Sequence, residues 1–111
     1  VHGYYDALDR DDLDAVLECF AGDVLYRRPG YKDISGLERL RAYYTDHRKL
    51  AAGRHLVRHV LVEGSAVAAN GMFEGDLRDG GRTAIGFAAF FVFDGHGRIE
   101  EHTTYFFTPA V

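Results

Sequence analysis

The most apolar stretch of the chain runs from Arg82 to Phe107 and is rich in phenylalanine and threonine. Asp94-Gly95-His96-Gly97 divides it into two runs. Aromatic and β-branched residues on both sides of a glycine-containing break are typical of a long β-hairpin. The first arm, Ile85 to Phe93, is almost continuously apolar, which predicts a central strand with both faces covered. We expect helices to cover one face and, because the chain is small, a second subunit to cover the other.

Helical spacing of apolar residues predicts three helices in the first half of the chain. The segment from Val1 to Leu8 is the end of a first helix. A second helix is expected to start with Asp11 as its cap and to end at Gly22-Asp23. Its apolar positions are Leu13, Val16, Leu17 and Phe20. Ser35 and Glu38 have the spacing of a capping box, which predicts the start of a third helix.

A period of two replaces the helical period after Gly53, which indicates strands. We predict strands at His55 to Glu63 and at Ala66 to Glu74, followed by the hairpin, and a short earlier strand at Val24 to Arg28. The turn signals are Pro29-Gly30, Gly64-Ser65 and Asp79-Gly80. This order of elements predicts an α+β fold, with helices on one face of a bent antiparallel sheet.

The composition limits the class of protein. The chain has 111 residues, of which 47% are hydrophobic, so we expect one domain with a real core. The formal charge of -4 and the pI near 5.8 argue against nucleic acid as a partner, because phosphate binding needs a positive surface. Cys19 stands alone, which excludes a disulfide framework, and its place on an apolar helix face favours an inert thiol.

Targeting and cofactor signals are lacking in the sequence. No run reaches the roughly 18 apolar residues of a membrane span and no signal peptide is recognisable, so we expect a cytoplasmic protein without a membrane partner. No phosphate-binding loop, nucleophile motif or metal-ligand spacing occurs, so we expect neither cofactor nor metal. The chain starts without Met and inside a helical pattern, and we therefore expect further residues before Val1.

Three segments carry a resemblance to a known family. They are Ala7-Leu8 with Asp12 to Ala15 and Phe20 to Val24, then Gly36-Leu37 with Leu40-Arg41 and Tyr43-Tyr44, then Phe91 to Ile99. In this order they resemble the nuclear transport factor 2-like superfamily and, within it, the SnoaL-like polyketide cyclase and ketosteroid isomerase branch. The resemblance covers nearly the whole chain and makes residues 1–111 a single SnoaL-like domain.

The resemblance implies a cone-shaped fold, in which three N-terminal helices and a strongly curved, mostly antiparallel sheet enclose one deep apolar pocket. It also implies a homodimer through the outer sheet face. For function it implies a cofactor-independent cyclase, isomerase or dehydratase that acts on an apolar carbonyl compound by acid/base catalysis. The alternative is a noncatalytic small-ligand-binding or dimerisation domain, because this scaffold carries both.

The ketosteroid isomerase pattern can be compared residue by residue. Tyr4 takes the position of the oxyanion-hole tyrosine, and Tyr44 that of a supporting tyrosine. The position of the general-base aspartate is Arg28, which accepts no proton at neutral pH, so isomerisation by that mechanism is not expected. Thr104 stands where epoxide hydrolases keep an acid on the last strand, which weakens that alternative as well.

Histidines are the candidate proton acceptors. His55 and His59 have equal parity on one predicted strand, roughly 13 Å apart, which is too far for one metal ion but compatible with one cavity. His102 lies on the final strand, on a face that the resemblance turns inward. Because a neutral imidazole can take a proton from a carbon acid, we name His59 and His102 as candidate catalytic residues and place His55 in the pocket wall. The alternative for His55 is an exposed strand start.

Arg28 is the other candidate catalytic residue. If it points into the cone, it is a cation in an apolar cavity and needs an anion, which Glu74, Glu101, a ligand carboxylate or an enolate could supply. Together with Tyr4 or Tyr26 it would stabilise a developing oxyanion. The alternative places Arg28 at the rim or in the dimer interface.

The other residues assigned to the pocket wall are Tyr26, Tyr44, Glu74, Phe87, Phe91, Thr104 and Phe106. Glu74 is the leading carboxylate base if its face of the strand, with Asn70 and Met72, looks inward. Gly71 and Phe73 make the opposite face an equally good lining. A pocket filled by Phe87, Phe91 and Phe106 would favour the noncatalytic alternative.

Overall fold

The computed structural model describes residues 1–47, 50–77 and 80–107. The helices are α1 (His2–Asp9), α2 (Leu13–Glu18) and α3 (Leu37–Ala42), and α3 continues as a π-helical turn over Tyr43–His47. The strands are β1 (Phe20–Arg27), β2 (Ile34–Ser35), β3 (Leu50–Glu63), β4 (Ala66–Leu77), β5 (Arg82–Phe93) and β6 (Ile99–Phe106). Within the described ranges, none of the helices has the length and apolar character needed to cross a bilayer.

The six strands form one open sheet in the order β2-β1-β6-β5-β4-β3. Every neighbouring pair is antiparallel except β1 and β6, which run parallel. Strand β5 pairs with β4 on one side and β6 on the other, which confirms the predicted central strand. The three helices pack on the sheet, so the α+β fold class is confirmed.

Irregular pairing bends the sheet. The register shifts between Val57 and His59 on β3, between Val92 and Phe93 on β5, and between Phe20 and Leu25 on β1. An extra residue in one strand increases the local twist and turns the following side chains to the other face. The bend leaves a concave inner face under the helices.

The two faces of β5 differ in burial. Its inward positions, Ile85, Phe87, Ala89 and Phe91, are buried in the core. On the outer face Phe90 is 53% exposed, and Tyr105 of β6 beside it is 54% exposed. In the single chain the helices therefore cover one face only. Whether a second subunit covers the other remains a prediction.

The second helix is shorter than its apolar spacing predicts. Asp12, rather than Asp11, caps α2, and its carboxylate accepts a hydrogen bond from the amide of Ala15 at 3.1 Å. Asp11 has a left-handed φ of 57° in the turn between the helices. The helix ends at Glu18, and Phe20 already pairs with β6, so that Gly22-Asp23 lies within β1. Pairing with β6 has overridden the local helical pattern.

Cys19 lies at the end of α2 and is only partly buried. Its thiol donates a hydrogen bond to the carbonyl of Ala15 at 3.4 Å. Burial raises the pKa of the Cys19 thiol. A raised pKa disfavours the reactive thiolate, in keeping with the expected inert thiol.

The predicted capping box at the start of α3 is wrong. Gly36 is the N-cap, with a φ of 90°, and no side chain caps the helix. Ser35 instead belongs to β2 and pairs with Leu25, while the amide of Gly36 donates to the carbonyl of Val24 at 2.8 Å. Backbone pairing with β1 thus takes the place of the hydrogen bond that the Ser35 side chain was expected to make at the start of the helix.

Three of the predicted turns are confirmed, at Gly30 with a φ of 85°, at Gly64 with a φ of 57° and at Gly97 with a φ of 79°. Strand β3 begins at Leu50, before the predicted start at His55. In the predicted Asp79-Gly80 turn, Asp79 lies outside the described residues, whereas Gly80 has a φ of 92°.

Gly71 on β4 should be intolerant of a side chain. A methyl group there would run into the carbonyl oxygen of Leu56 and come within 3.0 Å of the Cα of Val57, beside the irregularity in β3. We expect Gly71→Ala to lower the free energy of unfolding by about 2 kcal/mol, measured by urea denaturation. Gly22→Ala on β1 is the control, because nothing lies within 4 Å of its added methyl group. Equal losses in the two variants would contradict the close approach.

Candidate active site

A cavity of about 20 Å³ lies between α1 and the inner face of the sheet. Its ten lining residues come from α1, β3, β5 and β6 and from the end of β1. The polar ones are Tyr4, Tyr26, Arg28, His55, His102 and Thr104. Phe87 and Phe106 are among the apolar ones. The cavity therefore gathers most of the predicted site residues in a space little larger than a water molecule.

Arg28 follows the last residue of β1 and points into this cavity. It is only 7% exposed, and its guanidinium carbon lies 4.7 Å from the ring centroid of Phe106. Its neighbour Arg27 faces outward and pairs with Asp33 and Glu101, each at 3.4 Å. Because successive residues of an extended chain point to opposite faces, the two arginines have opposite environments.

The charge of Arg28 is held by tyrosines. Burial alone would lower the pKa of Arg28, but the nearby hydroxyls of Tyr26, Tyr43 and Tyr44 outweigh it, and the pKa rises above its ordinary value. Tyr26 also hydrogen-bonds the guanidinium. Within the described residues, however, the buried Nε and Nη2 of Arg28 have no hydrogen-bond partner. The cavity therefore contains a permanent cation with two N–H groups directed at no protein acceptor.

Neither carboxylate suggested by the sequence neutralises Arg28. Glu101 is engaged by Arg27, and Glu74 is exposed on the outer face of β4. The inner face of that strand carries Phe73, which is buried and packs 4.8 Å from the ring of His55. The prediction that Glu74 binds substrate or acts as a base is therefore wrong, because the hydrophobic parity of Phe73 decides the orientation of β4.

His102 lies fully within the wall. It is 1% exposed, its ring stacks on Phe91 at 4.3 Å, and its Nε2 lies 3.2 Å from the hydroxyl of Thr104. Burial lowers the pKa of His102 to about 3, the Phe90 backbone opposes this, and the charge of Arg28 adds to it. Its Nδ1 has no partner of regular hydrogen-bond geometry in the described part of the chain, so the Phe90 contact is a weak one.

This environment changes the role expected of His102. The imidazole is neutral at physiological pH, but protonation would place a second cation beside Arg28 in a buried site. A base with so low a pKa is a weak proton acceptor. His102 therefore suits a hydrogen-bonding role in the wall better than the proton transfer predicted for it.

His55 forms a hydrogen-bonded pair with a residue that the sequence did not single out. Its Nδ1 lies 2.6 Å from Oδ1 of Asp9, and its backbone amide donates to Oδ2 at 2.8 Å. The side chain is 8% exposed and its ring packs 4.8 Å from that of Tyr5. A carboxylate that accepts the Nδ1 proton leaves Nε2 as the basic nitrogen. The pair has the arrangement of a general base and its orienting acid.

Sequence reasoning missed Asp9 because it lies 46 residues before His55. One signal was available. Asp9 is the last residue of α1, where the helix dipole disfavours a negative charge, so an acid there needs a separate reason. The reason is the contact with β3.

His59 does not line the cavity. It is exposed, and both its ring Nδ1 and its amide lie close to Oδ1 of Asn70, at 3.0 and 3.1 Å. The irregularity between Val57 and His59 reverses the parity of β3, so that His55 and His59 occupy opposite faces despite their even spacing. The prediction of a catalytic His59 is wrong for this reason.

The tyrosines complete the wall. The hydroxyls of Tyr4 and Tyr44 lie 2.6 Å apart, and the ring of Tyr4 packs edge-on against His102 at 5.2 Å. Two residues predicted in the pocket wall, Tyr44 and Phe91, do not line the cavity. Tyr44 lies behind Tyr4, and Phe91 lies behind His102. Tyr5, which the sequence did not single out, lines the cavity, and burial together with Tyr26 raises its pKa above the ordinary value.

Three helices packed on a six-stranded, mostly antiparallel open sheet have the architecture of the nuclear transport factor 2-like class. A family model described as SnoaL-like domain matches residues 1–102. The chain belongs to this family. No curated protein sequence matches it significantly.

Solved structures show the same fold. A nuclear transport factor 2-like protein of unknown function from Burkholderia pseudomallei K96243 is 20% identical, with a TM-score of 0.83 over 95% of this chain and 86% of that one. An LEH-like epoxide hydrolase from M. tuberculosis is 21% identical, with a TM-score of 0.80 over 95% and 77%. The epoxide hydrolase/cyclase-like enzyme SalBIII of salinomycin pyran ring formation is 19% identical, with a TM-score of 0.80 over 93% and 84%.

The neutral state of His102 should make the protein sensitive to acid. The unfolded chain binds a proton below the ordinary pKa of 6.5, whereas the folded protein does so only near 3. Stability should therefore fall as the pH drops below 6.5, by roughly 1 kcal/mol per unit from this residue. His102→Gln removes the titrating group and should flatten this slope, as measured by urea denaturation between pH 7 and pH 5. An unchanged slope would show that His102 is protonated in the folded state.

Proposed function

We propose that the protein is a cofactor-independent enzyme of the SnoaL-like type, which acts as a cyclase, isomerase or dehydratase on an apolar carbonyl compound. The observation that supports this best is the convergence of Arg28 and the His55–Asp9 pair on one cavity. A fixed cation can stabilise negative charge that develops on oxygen, and an oriented imidazole can take a proton from carbon. The two groups together supply both halves of a carbon-acid reaction.

In this proposal the roles follow from the positions. His55 accepts the proton at Nε2, and Asp9 holds the imidazole in the required tautomer and stabilises the imidazolium. Arg28 and the hydroxyls of Tyr4 and Tyr26 bind the oxygens of the substrate. His102 and Thr104 form the wall beside Tyr26. Proton transfer returns from His55 to another carbon or to a leaving oxygen, so that neither metal nor redox cofactor takes part.

One observation favours the second candidate function, a noncatalytic ligand-binding or dimerisation domain. The cavity measures only about 20 Å³, and Phe87 and Phe106 are part of its lining. A substrate can enter only if an aromatic side chain turns aside. A cavity that stays closed would leave the polar groups with a purely structural role.

The two candidates can be separated by α-proton exchange. We expect the protein to accelerate the exchange of α-protons of cyclohexanone or 2-tetralone into D₂O, followed by ¹H NMR at neutral pH. Because His55 is the proposed base, His55→Ala should lower the protein-dependent rate by about 100-fold or more. Asp9→Asn should lower it less and shift its pH profile, since it alters only the support of the imidazole.

The matched control is His59→Ala, which removes an exposed histidine from the same strand and should leave the rate unchanged. Full exchange activity in His55→Ala would remove this residue from the mechanism. No acceleration over buffer with either ketone would favour the noncatalytic domain.

We further propose that the protein forms a homodimer through the outer face of its sheet. Support comes from the rings of Phe90 and Tyr105, which lie 6.0 Å apart, edge to face, with about half of each residue exposed. Leu56 on β3 adds a further exposed apolar side chain. Adjacent exposed aromatic residues on a sheet are typical of an interaction surface, and a two-fold axis would pair this patch with itself.

Phe90→Asp should shift a dimer to monomer in sedimentation velocity runs at micromolar concentration. A carboxylate at the centre of the proposed interface would be buried against its symmetry mate, which is unfavourable. Lys32→Glu likewise introduces a carboxylate, but in the exposed loop after β1. This variant should remain dimeric. A wild-type protein that sediments as a monomer would contradict this proposal.

A further inference from the structure

We propose that the ligand of the cavity carries a carboxylate, and that the Nε and Nη2 edge of Arg28 binds both of its oxygens. This inference rests on the function proposed above, because it names the substrate class of the same site. It goes beyond that function in assigning a chemical group to one edge of one side chain.

The first argument is geometric. Nε and Nη2 form one edge of the guanidinium, on which two N–H bonds point in nearly the same direction. These two atoms of Arg28 are the ones that have no hydrogen-bond partner among the described residues. Tyr26 contacts the same guanidinium and contributes to its raised pKa. Parallel N–H bonds of this kind match the two oxygens of a carboxylate, so the unsatisfied donors define a two-oxygen acceptor.

The second argument concerns charge. No carboxylate lies within ion-pairing distance of Arg28 in the described part of the chain, and the carboxylate of Asp9 is engaged by His55. His102 is neutral at physiological pH. The cavity thus has a surplus of one positive charge. A single water would fit the volume and satisfy N–H groups, but it would not neutralise the charge.

These two arguments together select among anions. A neutral ketone or amide offers one oxygen and no charge. A phosphate dianion would bring one negative charge more than the site holds, into a wall with no second cation among the described residues that line it. A carboxylate has two coplanar oxygens and a single charge, and it satisfies both conditions.

The third argument concerns the body of the ligand. Beyond the guanidinium, the wall on this side is formed by the rings of Phe106 and Phe87. Phe106 is the last residue of β6 and is followed by the exposed Phe107. A ligand body larger than about 20 Å³ must displace part of the wall, and Phe106 is less buried than Phe87. The compounds that fit are small carboxylates with an apolar or aromatic body.

In the reaction, this assignment separates two tasks. Arg28 anchors the carboxylate, and its charge also stabilises the nearby carbonyl oxygen that becomes negative, to which the tyrosine hydroxyls donate. His55 then takes the proton from the carbon between the carbonyl and the carboxylate. The preferred substrate would be an oxo-acid, and simple ketones would be slower analogues that keep the carbonyl group but lack the anchor.

The test compares acids with their neutral amides. Benzoate with benzamide, and acetate with acetamide, differ little in shape but by one charge. We expect the wild-type protein to bind each acid at least about tenfold more tightly than its amide in titrations followed by ¹H–¹⁵N NMR at neutral pH. Arg28→Met should abolish this preference. Arg27→Met removes the adjacent exposed guanidinium and should retain it.

Arg28→Lys serves as a second variant, because it keeps the charge but lacks the two-donor edge. It should keep a reduced preference for the acid. A preference in Arg28→Lys equal to that of the wild type would overturn the two-oxygen geometry, and a preference that persists in Arg28→Met would overturn the site. Circular dichroism of each variant verifies that it is folded.

The outcomes also distinguish this inference from the proposed function. Equal affinities for benzoate and benzamide would overturn the inference, even if ketones exchange their α-protons. Preferential, Arg28-dependent binding of benzoate without any proton exchange would support the carboxylate site and leave the protein a binding domain.

Discussion

A buried arginine that has no carboxylate partner among the described residues is the constraint from which the rest of the site follows. Removing a guanidinium from water is unfavourable unless other groups stabilise its charge. Here the groups that do so are tyrosine hydroxyls and an aromatic ring face rather than an acid. Because these groups carry no negative charge, the positive charge of Arg28 remains available to a ligand. Burial is the main cause of the low pKa of His102, and the charge of Arg28 adds to it.

The pair of His55 and Asp9 joins the helical layer to the sheet. Asp9 ends α1, and its carboxylate accepts hydrogen bonds from both the ring and the amide of His55 on β3. A contact that uses both oxygens fixes the ring in one orientation and one tautomer. Since Tyr4 and Tyr5 belong to the same helix, the pair also fixes the position of the cavity's aromatic wall. Helix α1 therefore both covers this part of the sheet and orients the ring of His55.

The fold and part of the site could be predicted from the sequence, and the failures share a physical cause. Long apolar runs determine burial, so the central strand was accessible to pattern reasoning, whereas the inward face of His102 was implied by the family resemblance. Side-chain parity was not, because one irregular residue in β3 reverses it, which is how His59 was misplaced. Parity also misled for Glu74, where only the packing of Phe73 settles the face. Contacts distant in sequence, such as that of Asp9, left no periodic signal.

The sheet departs from the usual distribution of residues in two respects that support each other. A half-covered antiparallel sheet normally places apolar residues inward and polar ones outward. Among the described residues, the inner face holds Arg28 and His102 with nitrogen atoms that lack a regular hydrogen-bond partner, whereas the outer face exposes Phe90 and Tyr105. Both arrangements lower the stability of an isolated chain. A contribution to folding stability therefore does not account for the buried polar groups or for the exposed aromatic residues. An anion inside and a second copy outside would resolve both, which is why the two proposals arise from one sheet.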